Sequence, residues 1–151
     1  MVMGYGKSCE NFKIDETNCK IAFFIYGTLK QKFEEYASKG MAKLVGEGYI
    51  FATLYDLKGY PGAFKGSGNK NRAYGIVYCI SENFKDQIIK YCDEYEEFYP
   101  EKPESSLYIR ECAKVILTDT NKTVSAFVYY YNGKPTGRII DDGIWEKGRF
   151  Q

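Results

Sequence analysis

The apolar run of residues 21–25, followed within two residues by a glycine, constrains the fold of this chain more than any other segment. Its sequence, Ile-Ala-Phe-Phe-Ile, predicts a β-strand that is covered on both faces, because a half-exposed strand would alternate apolar and polar side chains. Gly27 then allows the backbone to turn sharply and expose its N–H groups. Such groups can hold an anion such as a carboxylate. The segment therefore predicts a buried strand that ends in a candidate anion site.

The composition restricts the class of protein. With 151 residues, 44% of them hydrophobic, the chain is long enough for one domain with a proper core. The 21 Lys and Arg residues almost balance the 20 Asp and Glu residues, and a net charge of +1 gives no footprint for nucleic acid or an anionic membrane. No apolar run approaches the roughly 18 residues that span a bilayer, and residues 1–20 lack the apolar core of a signal peptide. We expect a cytoplasmic protein without nucleic-acid or membrane partners.

The chain contains no histidine, which limits the chemistry open to it. Ser-His dyads, Cys-His dyads and His-ligated metal sites are excluded, so any proton transfer rests on a carboxylate, Lys, Tyr or Cys. The five cysteines are scattered, odd in number and without a Cys-x-x-Cys pair, which predicts neither a metal site nor a disulfide framework. Three of them lie in apolar segments and are expected to be buried free thiols: Cys79, Cys92 and Cys112.

The pattern along the chain predicts a polar, flexible extension over residues 1–20 and a single domain over residues 21–151. In the first half we expect a strand at 21–26, a helix at 30–39 ended by Gly40, one long or bent strand at 42–57 with a bulge near Gly46 and Gly48, a tight turn at 59–62, a loop at 65–71 and a strand at 73–80.

The second half predicts a helix at 81–97 with Ser81 as N-cap, a loop at 99–106, a β-hairpin of strands 107–117 and 123–131, and a tail at 136–151 that packs back on the body. Few helices and many strands indicate an α+β fold, with a mixed, partly barrel-like β-sheet and a few packed helices.

Helical geometry separates the four acids near the end of the second helix. The apolar residues of this helix share an arc roughly 140° wide: Phe84, Ile88, Ile89, Cys92 and Tyr95. Glu96 falls inside that arc, whereas Asp93, Glu94 and Glu97 fall outside it. An inward Glu96 would have a raised pKa, because burial and nearby acids oppose its ionisation. The alternative is that the helix frays near Tyr95 and leaves Glu96 exposed.

Six short motifs occur in a fixed order with compatible spacing: Tyr-Gly-Thr-Leu at 26–29, Leu-Tyr-Asp-Leu-x-Gly-Tyr-Pro-Gly at 54–62, Tyr-Gly-Ile-Val-Tyr at 74–78, Asp-x-Tyr-Glu at 93–96, Tyr-x-Arg at 108–110 and Ala-Phe-Val-Tyr at 126–129. This succession resembles the γ-glutamylcyclotransferase-like family, including its γ-glutamylamine cyclotransferase branch. The resemblance covers residues 21–131, and Gly-Ile-Trp at 143–145 is a weaker match to the same family.

The resemblance implies an enzyme that cyclises a γ-glutamyl group to 5-oxoproline and releases an amine or amino acid. It implies no metal or cofactor and one class of partner, a small γ-glutamyl substrate. Glu96 would act as the single general acid and base. The residues expected to bind substrate are Tyr26, Gly27, Thr28, Leu29, Tyr108, Arg110 and Tyr129.

Two of these assignments have a structural alternative. Arg110 is equally explained as a buried partner for an acid, and Tyr129 as a core residue. Thr28 stands where the family commonly has Ser, which leaves the backbone N–H unchanged. A different function that fits the same residues is a non-catalytic protein that binds a small molecule in the same pocket.

Overall fold

The structure is a computed structural model that describes Cys9, residues 19–66, Gly68 and residues 70–150. Two α-helices accompany the strands: α1 (Lys30–Ser38) and α2 (Lys85–Tyr95). The strands are β1 (Ala22–Ile25), β2 (Ala42–Phe51), β3 (Thr53–Asp56), β4 (Pro61–Phe64), β5 (Arg72–Ile80), β6 (Tyr108–Leu117), β7 (Thr123–Tyr131) and β8 (Arg138–Ile139). Five of them form a closed barrel in the order β1–β5–β2–β6–β7, and the other three form a sheet in the order β4–β3–β8.

The barrel is closed by β1, which pairs antiparallel with β5 and parallel with β7. All four residues of β1 are buried, as expected for a strand covered on both faces. Because side chains alternate along a strand, Ala22 and Phe24 join one apolar cluster and Phe23 and Ile25 join the other. The first cluster fills the barrel, and the second packs the outside of the barrel against α1 and α2.

The three-stranded sheet and the C-terminal tail pack on the barrel. Trp145, in the tail, is only 4% exposed and belongs to the cluster that fills the barrel. The expected tight turn lies earlier than residues 59–62, because Lys58 and Gly59 take the positive φ angles and the N–H of Leu57 donates to the carbonyl of Tyr60. Pro61 consequently begins β4 instead of lying in the turn, and its ring is next to Gly27, two residues after β1.

The α+β fold with a barrel-like sheet is confirmed, and most predicted elements are present within a few residues. The bulge near Gly46 is present, since the β2–β5 register shifts between Leu44 and Gly46. The helix predicted at 81–97 begins with a short 3₁₀ turn at Glu82–Phe84, and the Ser81 side chain makes no capping bond. The predicted extension at 1–20 lies outside the described residues except for Cys9, Cys19 and Lys20, as do residues 67 and 69 of the predicted loop.

The cysteine prediction is wrong for four of the five residues. Disulfides join Cys9 to Cys112 and Cys19 to Cys79, with Cα–Cα distances of 5.5 and 5.9 Å. The paired residues are 103 and 60 positions apart, so no local spacing could reveal them. Cys92 is a buried free thiol, as expected. Both bonds tie the start of the chain to barrel strands, β6 and β5. No helix among the described residues is long and apolar enough to cross a membrane.

The two disulfides give a direct chemical test. Denatured, unreduced protein treated with iodoacetamide should carry one modified cysteine, Cys92, whereas reduced protein should carry five. In the chain-entropy description, closing a loop of this length stabilises a fold by about 4 kcal/mol. The double substitution Cys19→Ala/Cys79→Ala should therefore lower the free energy of unfolding by about 2–4 kcal/mol in a urea titration. Five modified cysteines in the unreduced protein would contradict the pairing.

Candidate functional site

A cleft opens where β1 ends and the chain turns into α1. Its empty volume, which includes space open to solvent, is about 320 Å³. The residues that line it come from three sources, the β1–α1 turn, the end of α2 and the neighbouring strands: Phe24, Ile25, Tyr26, Gly27, Thr28, Leu29, Pro61, Glu96, Tyr108 and Tyr129. Among these described residues there is no Lys or Arg.

The turn is held in place by Tyr26 and Pro61. The Tyr26 hydroxyl donates to the Tyr129 carbonyl at 2.5 Å and accepts from the Ala63 N–H at 3.2 Å. The Tyr108 hydroxyl donates to the Pro61 carbonyl at 2.6 Å. A Cβ atom on Gly27 would lie 2.6 Å from Pro61 Cγ, so only glycine allows the turn to approach this ring so closely.

The same turn presents backbone donors to the cleft. In the described part of the chain, the N–H groups of Gly27, Thr28 and Leu29 find no acceptor, whereas the Lys30 N–H closes the turn on the Gly27 carbonyl. These three groups precede α1 directly, where the helix dipole adds positive potential. The turn can therefore hold an anionic group without a cationic side chain.

Glu96 lies at the C-terminal end of α2, where it forms the C-cap residue. The Phe98 N–H donates to the Asp93 carbonyl and the Glu97 N–H donates to the Glu94 carbonyl, which is the Schellman pattern of hydrogen bonds. Glu97 has a φ of 55°, an uncommon conformation for a residue other than glycine. The helix therefore stays regular to Tyr95 and ends in a fixed turn that directs Glu96 to the cleft.

Burial raises the pKa of the Glu96 carboxyl to about 7. Nearby acids were also expected to raise this pKa, but the removal of the carboxyl from water is the cause of the shift. Across the cleft, burial raises the pKa of Tyr26 and Tyr108 above its ordinary value, and the charge of Glu96 adds to both shifts. Both tyrosines therefore keep their protons at neutral pH, and Glu96 is the group in the cleft that can exchange one.

Behind Glu96, Asp93 is buried instead of lying outside the apolar arc as the helical pattern predicted. It is 8% exposed, whereas Tyr95, predicted inside the arc, is 46% exposed. Asp93 accepts two hydrogen bonds from Arg110, at 2.8 and 3.1 Å, and one from the Tyr129 hydroxyl at 2.6 Å. This pairing explains the difference, because a carboxylate can be buried when a bidentate arginine compensates its charge.

The cleft brings together seven of the eight residues expected from the sequence: Tyr26, Gly27, Thr28, Leu29, Glu96, Tyr108 and Tyr129. Arg110 does not line it and instead pairs with Asp93. Sequence reasoning allowed an acid partner for Arg110 without naming Asp93, and it expected Pro61 in a turn beside the pocket, which Pro61 lines. The one sequence feature that singled out Asp93 was the Asp-x-Tyr-Glu motif, in which Asp93 lies about one helical turn before Glu96.

A family model described as γ-glutamyl cyclotransferase, AIG2-like, matches residues 23–147. The chain therefore belongs to this family, which supports a γ-glutamyl cyclotransferase-like role. The matched region includes the whole cleft and both helices. No curated protein sequence matches the chain significantly.

Solved structures with the same fold come from distant organisms. An aig2-like protein from Mus musculus is 23% identical, with a TM-score of 0.58 over 76% of this chain and 80% of that one. Protein ytfP from Escherichia coli is 25% identical, with a TM-score of 0.55 over 83% and 96%. Uncharacterized protein PH0828 from Pyrococcus horikoshii is 22% identical, with a TM-score of 0.54 over 83% and 89%.

The raised pKa of Glu96 predicts a pH-dependent effect of Glu96→Gln on stability. The pKa of Glu96 is about 7 in the folded protein, whereas that of an ordinary Glu is 4.5. Between pH 4.5 and pH 7 the folded state therefore binds more protons than the unfolded state. Stability then falls as the pH rises through this window. The variant should match the wild type at pH 4 and exceed it by on the order of 2–3 kcal/mol at pH 8. Urea titrations at both pH values test this.

The matched control is Glu94→Gln, an exposed position on the same helix. This variant should leave the pH dependence of the free energy of unfolding unchanged. Equal stabilities of Glu96→Gln and the wild type at pH 8 would contradict the burial of an ionised Glu96.

Proposed function

We propose that this protein is an enzyme that cyclises a γ-glutamyl group to 5-oxoproline and releases the attached amine or amino acid. Family membership supports the reaction class. The observation that carries the proposal is the position of Glu96, the proton-exchanging group, on the wall of a cleft whose other wall is a turn with free N–H donors. The chain needs no nucleophile of its own, because the substrate supplies its α-amine.

Glu96 would transfer protons in both halves of the reaction. Its carboxylate accepts a proton from the substrate α-ammonium, and the freed nitrogen attacks the γ-carbonyl carbon to form the ring C–N bond. The bond from that carbon to the leaving nitrogen then breaks as Glu96 returns the proton. The ring nitrogen then loses its second proton, which the released amine takes up, so the products are the neutral lactam and an ammonium ion. Closing a ring within one molecule gains from an effective molarity of about 10⁵ M or more when the groups are well oriented.

The turn would bind the glutamyl end of the substrate. With no Lys or Arg lining the described cleft, the substrate α-carboxylate would accept hydrogen bonds from the N–H groups of Gly27, Thr28 and Leu29. This arrangement leaves the α-ammonium facing Glu96. Tyr108 and Tyr129 would form the side walls of the pocket, each with its hydroxyl already bonded within the protein.

Glu96→Gln should abolish 5-oxoproline release, because the amide cannot accept the substrate proton. A loss of general acid–base catalysis corresponds to a fall in kcat of about 10²–10⁴-fold. In the wild type, kcat/KM should rise with pH through a midpoint near 7, since Glu96 must be ionised to accept a proton. Both are measured by chromatographic detection of 5-oxoproline from a panel of γ-glutamyl amines, γ-glutamyl amino acids and glutathione.

The same panel separates the enzyme from a non-catalytic binding protein. Ligands that raise the unfolding temperature of the wild type without any release of 5-oxoproline would support binding alone. Turnover by Glu96→Gln at the wild-type rate would reject Glu96 as the acid and base.

Substitutions in the turn test how the glutamyl end is bound. Gly27→Ala should raise KM by about 10-fold or more, because the added Cβ must displace the turn from the Pro61 ring and so disturb its N–H donors. Thr28→Ala should change KM less than about 2-fold, since only the backbone of this exposed residue would contact substrate. A large effect of Thr28→Ala with no effect of Gly27→Ala would exclude binding by backbone donors.

A further inference from the structure

Resting on the proposed function, we propose that Asp93, Arg110 and Tyr129 are positioning residues that hold Glu96 in the orientation needed for proton transfer. None of the three would exchange a proton with the substrate. They would act through the turn that ends α2 and through the charge behind Glu96. The effect through the turn is geometric, and the effect through the charge is electrostatic.

Asp93 is fixed by both its main chain and its side chain. Its carbonyl accepts the hydrogen bond from Phe98 that closes the turn around Glu96, and its carboxylate is held by Arg110 and Tyr129. Arg110 is itself confined, since its guanidinium lies 4.6 Å from the Phe127 ring centre and 5.4 Å from that of Phe98. The residue one helical turn before Glu96 is therefore held at both its main chain and its side chain.

Tyr129 connects the two walls of the cleft. Its hydroxyl donates to Asp93, beneath Glu96, while its carbonyl accepts from the hydroxyl of Tyr26, which begins the glutamyl-binding turn. The distance between the turn and Glu96 is thus set through one residue of β7. A displacement of about 1 Å between reacting groups can lower a rate about 100-fold, so this connection bears directly on catalysis.

Asp93 and Arg110 also form a neutral pair next to the site. Burial raises the pKa of the Cys92 thiol, and the smaller contributions show its charged neighbours: Asp93 and Glu96 raise this pKa further, while Arg110 lowers it. The titratable groups that interact electrostatically with Glu96 lie on the β1–α1 turn, on β6 and on α2 itself: Tyr26, Tyr108 and Cys92. All three are uncharged at pH 7, whereas the Asp93–Arg110 pair brings two opposite charges to the helical turn before Glu96.

Asp93→Asn tests both parts at once. The amide keeps the shape and one acceptor, but it breaks the bidentate pairing and leaves the positive charge of Arg110 uncompensated. We expect kcat to fall on the order of 10- to 100-fold while KM changes less than about 3-fold. The midpoint of the pH profile should move below its wild-type value, because the remaining positive charge favours the Glu96 carboxylate. A purely structural role would lower the unfolding temperature and move neither kcat nor the midpoint.

Two further variants separate charge from geometry. Asp93→Asn/Arg110→Gln restores neutrality, so its midpoint should return to the wild-type value while kcat stays low. Tyr129→Phe keeps the ion pair and removes one hydrogen bond, so kcat should fall several-fold with the midpoint unchanged. Asp86→Asn, the same substitution at an exposed position on α2, is the control and should leave both quantities unchanged. If Asp93→Asn does not fold, Tyr129→Phe decides the geometric part, and wild-type kcat in that variant overturns it.

A readout without turnover separates this inference from the proposed function. The midpoint of Glu96 is followed by the ¹³C carboxyl shift in wild type and in Asp93→Asn. A downward shift of about half a pH unit or more supports the coupling even if no γ-glutamyl compound is turned over, in which case the proposed function alone fails. An active wild type, together with an Asp93→Asn variant that keeps kcat and the Glu96 midpoint, overturns the positioning role.

Discussion

The position of the candidate site depends on the closure of the barrel by β1. Both faces of this strand are covered. Because it also pairs with β5 on one side and with β7 on the other, the sheet has no open edge here. Where β1 ends, the chain must leave the barrel beside β7, and the hydroxyl of Tyr26 bonds to the β7 carbonyl of Tyr129 at this point. The turn to α1 is consequently held in place, and its N–H groups, which find no acceptor among the described residues, line the same cleft as Glu96.

Two carboxylates that lie one helical turn apart, those of Asp93 and Glu96, have opposite environments. Asp93 is buried, and its carboxylate is paired with Arg110 and a tyrosine hydroxyl, which suits a structural role. Glu96 is partly buried without such a partner among the described residues, so its charged form is disfavoured and its pKa rises to about 7. A chain without histidine thereby obtains a group that can exchange protons near neutral pH.

The local features could be predicted from the sequence, and the long-range ones could not. The apolar run before Gly27 predicted a covered strand, and the hairpin of β6 and β7 followed from alternation and a turn. The helical arc correctly buried Ile88 and Cys92, but it misplaced Asp93 and Tyr95, since helical periodicity does not show which charged residue has a buried partner. The compensating residue, Arg110, is 17 positions away on β6, and the disulfide partners are farther still. The motif resemblance named Glu96 and the 26–29 turn, and the structure gives their spatial relation and the network behind them.

In the proposed mechanism, the Asp93–Arg110 pair would also keep the pKa of Glu96 from rising beyond a useful range. A second carboxylate, ionised and uncompensated one helical turn away, would add repulsion to the effect of burial. Glu96 would then hold its proton at neutral pH and could not accept another from a substrate ammonium. With Arg110 in place, burial alone sets the pKa at about 7, where both protonation states are populated. Arg110, although it does not line the cleft, therefore bears on whether the cleft can carry out acid–base chemistry.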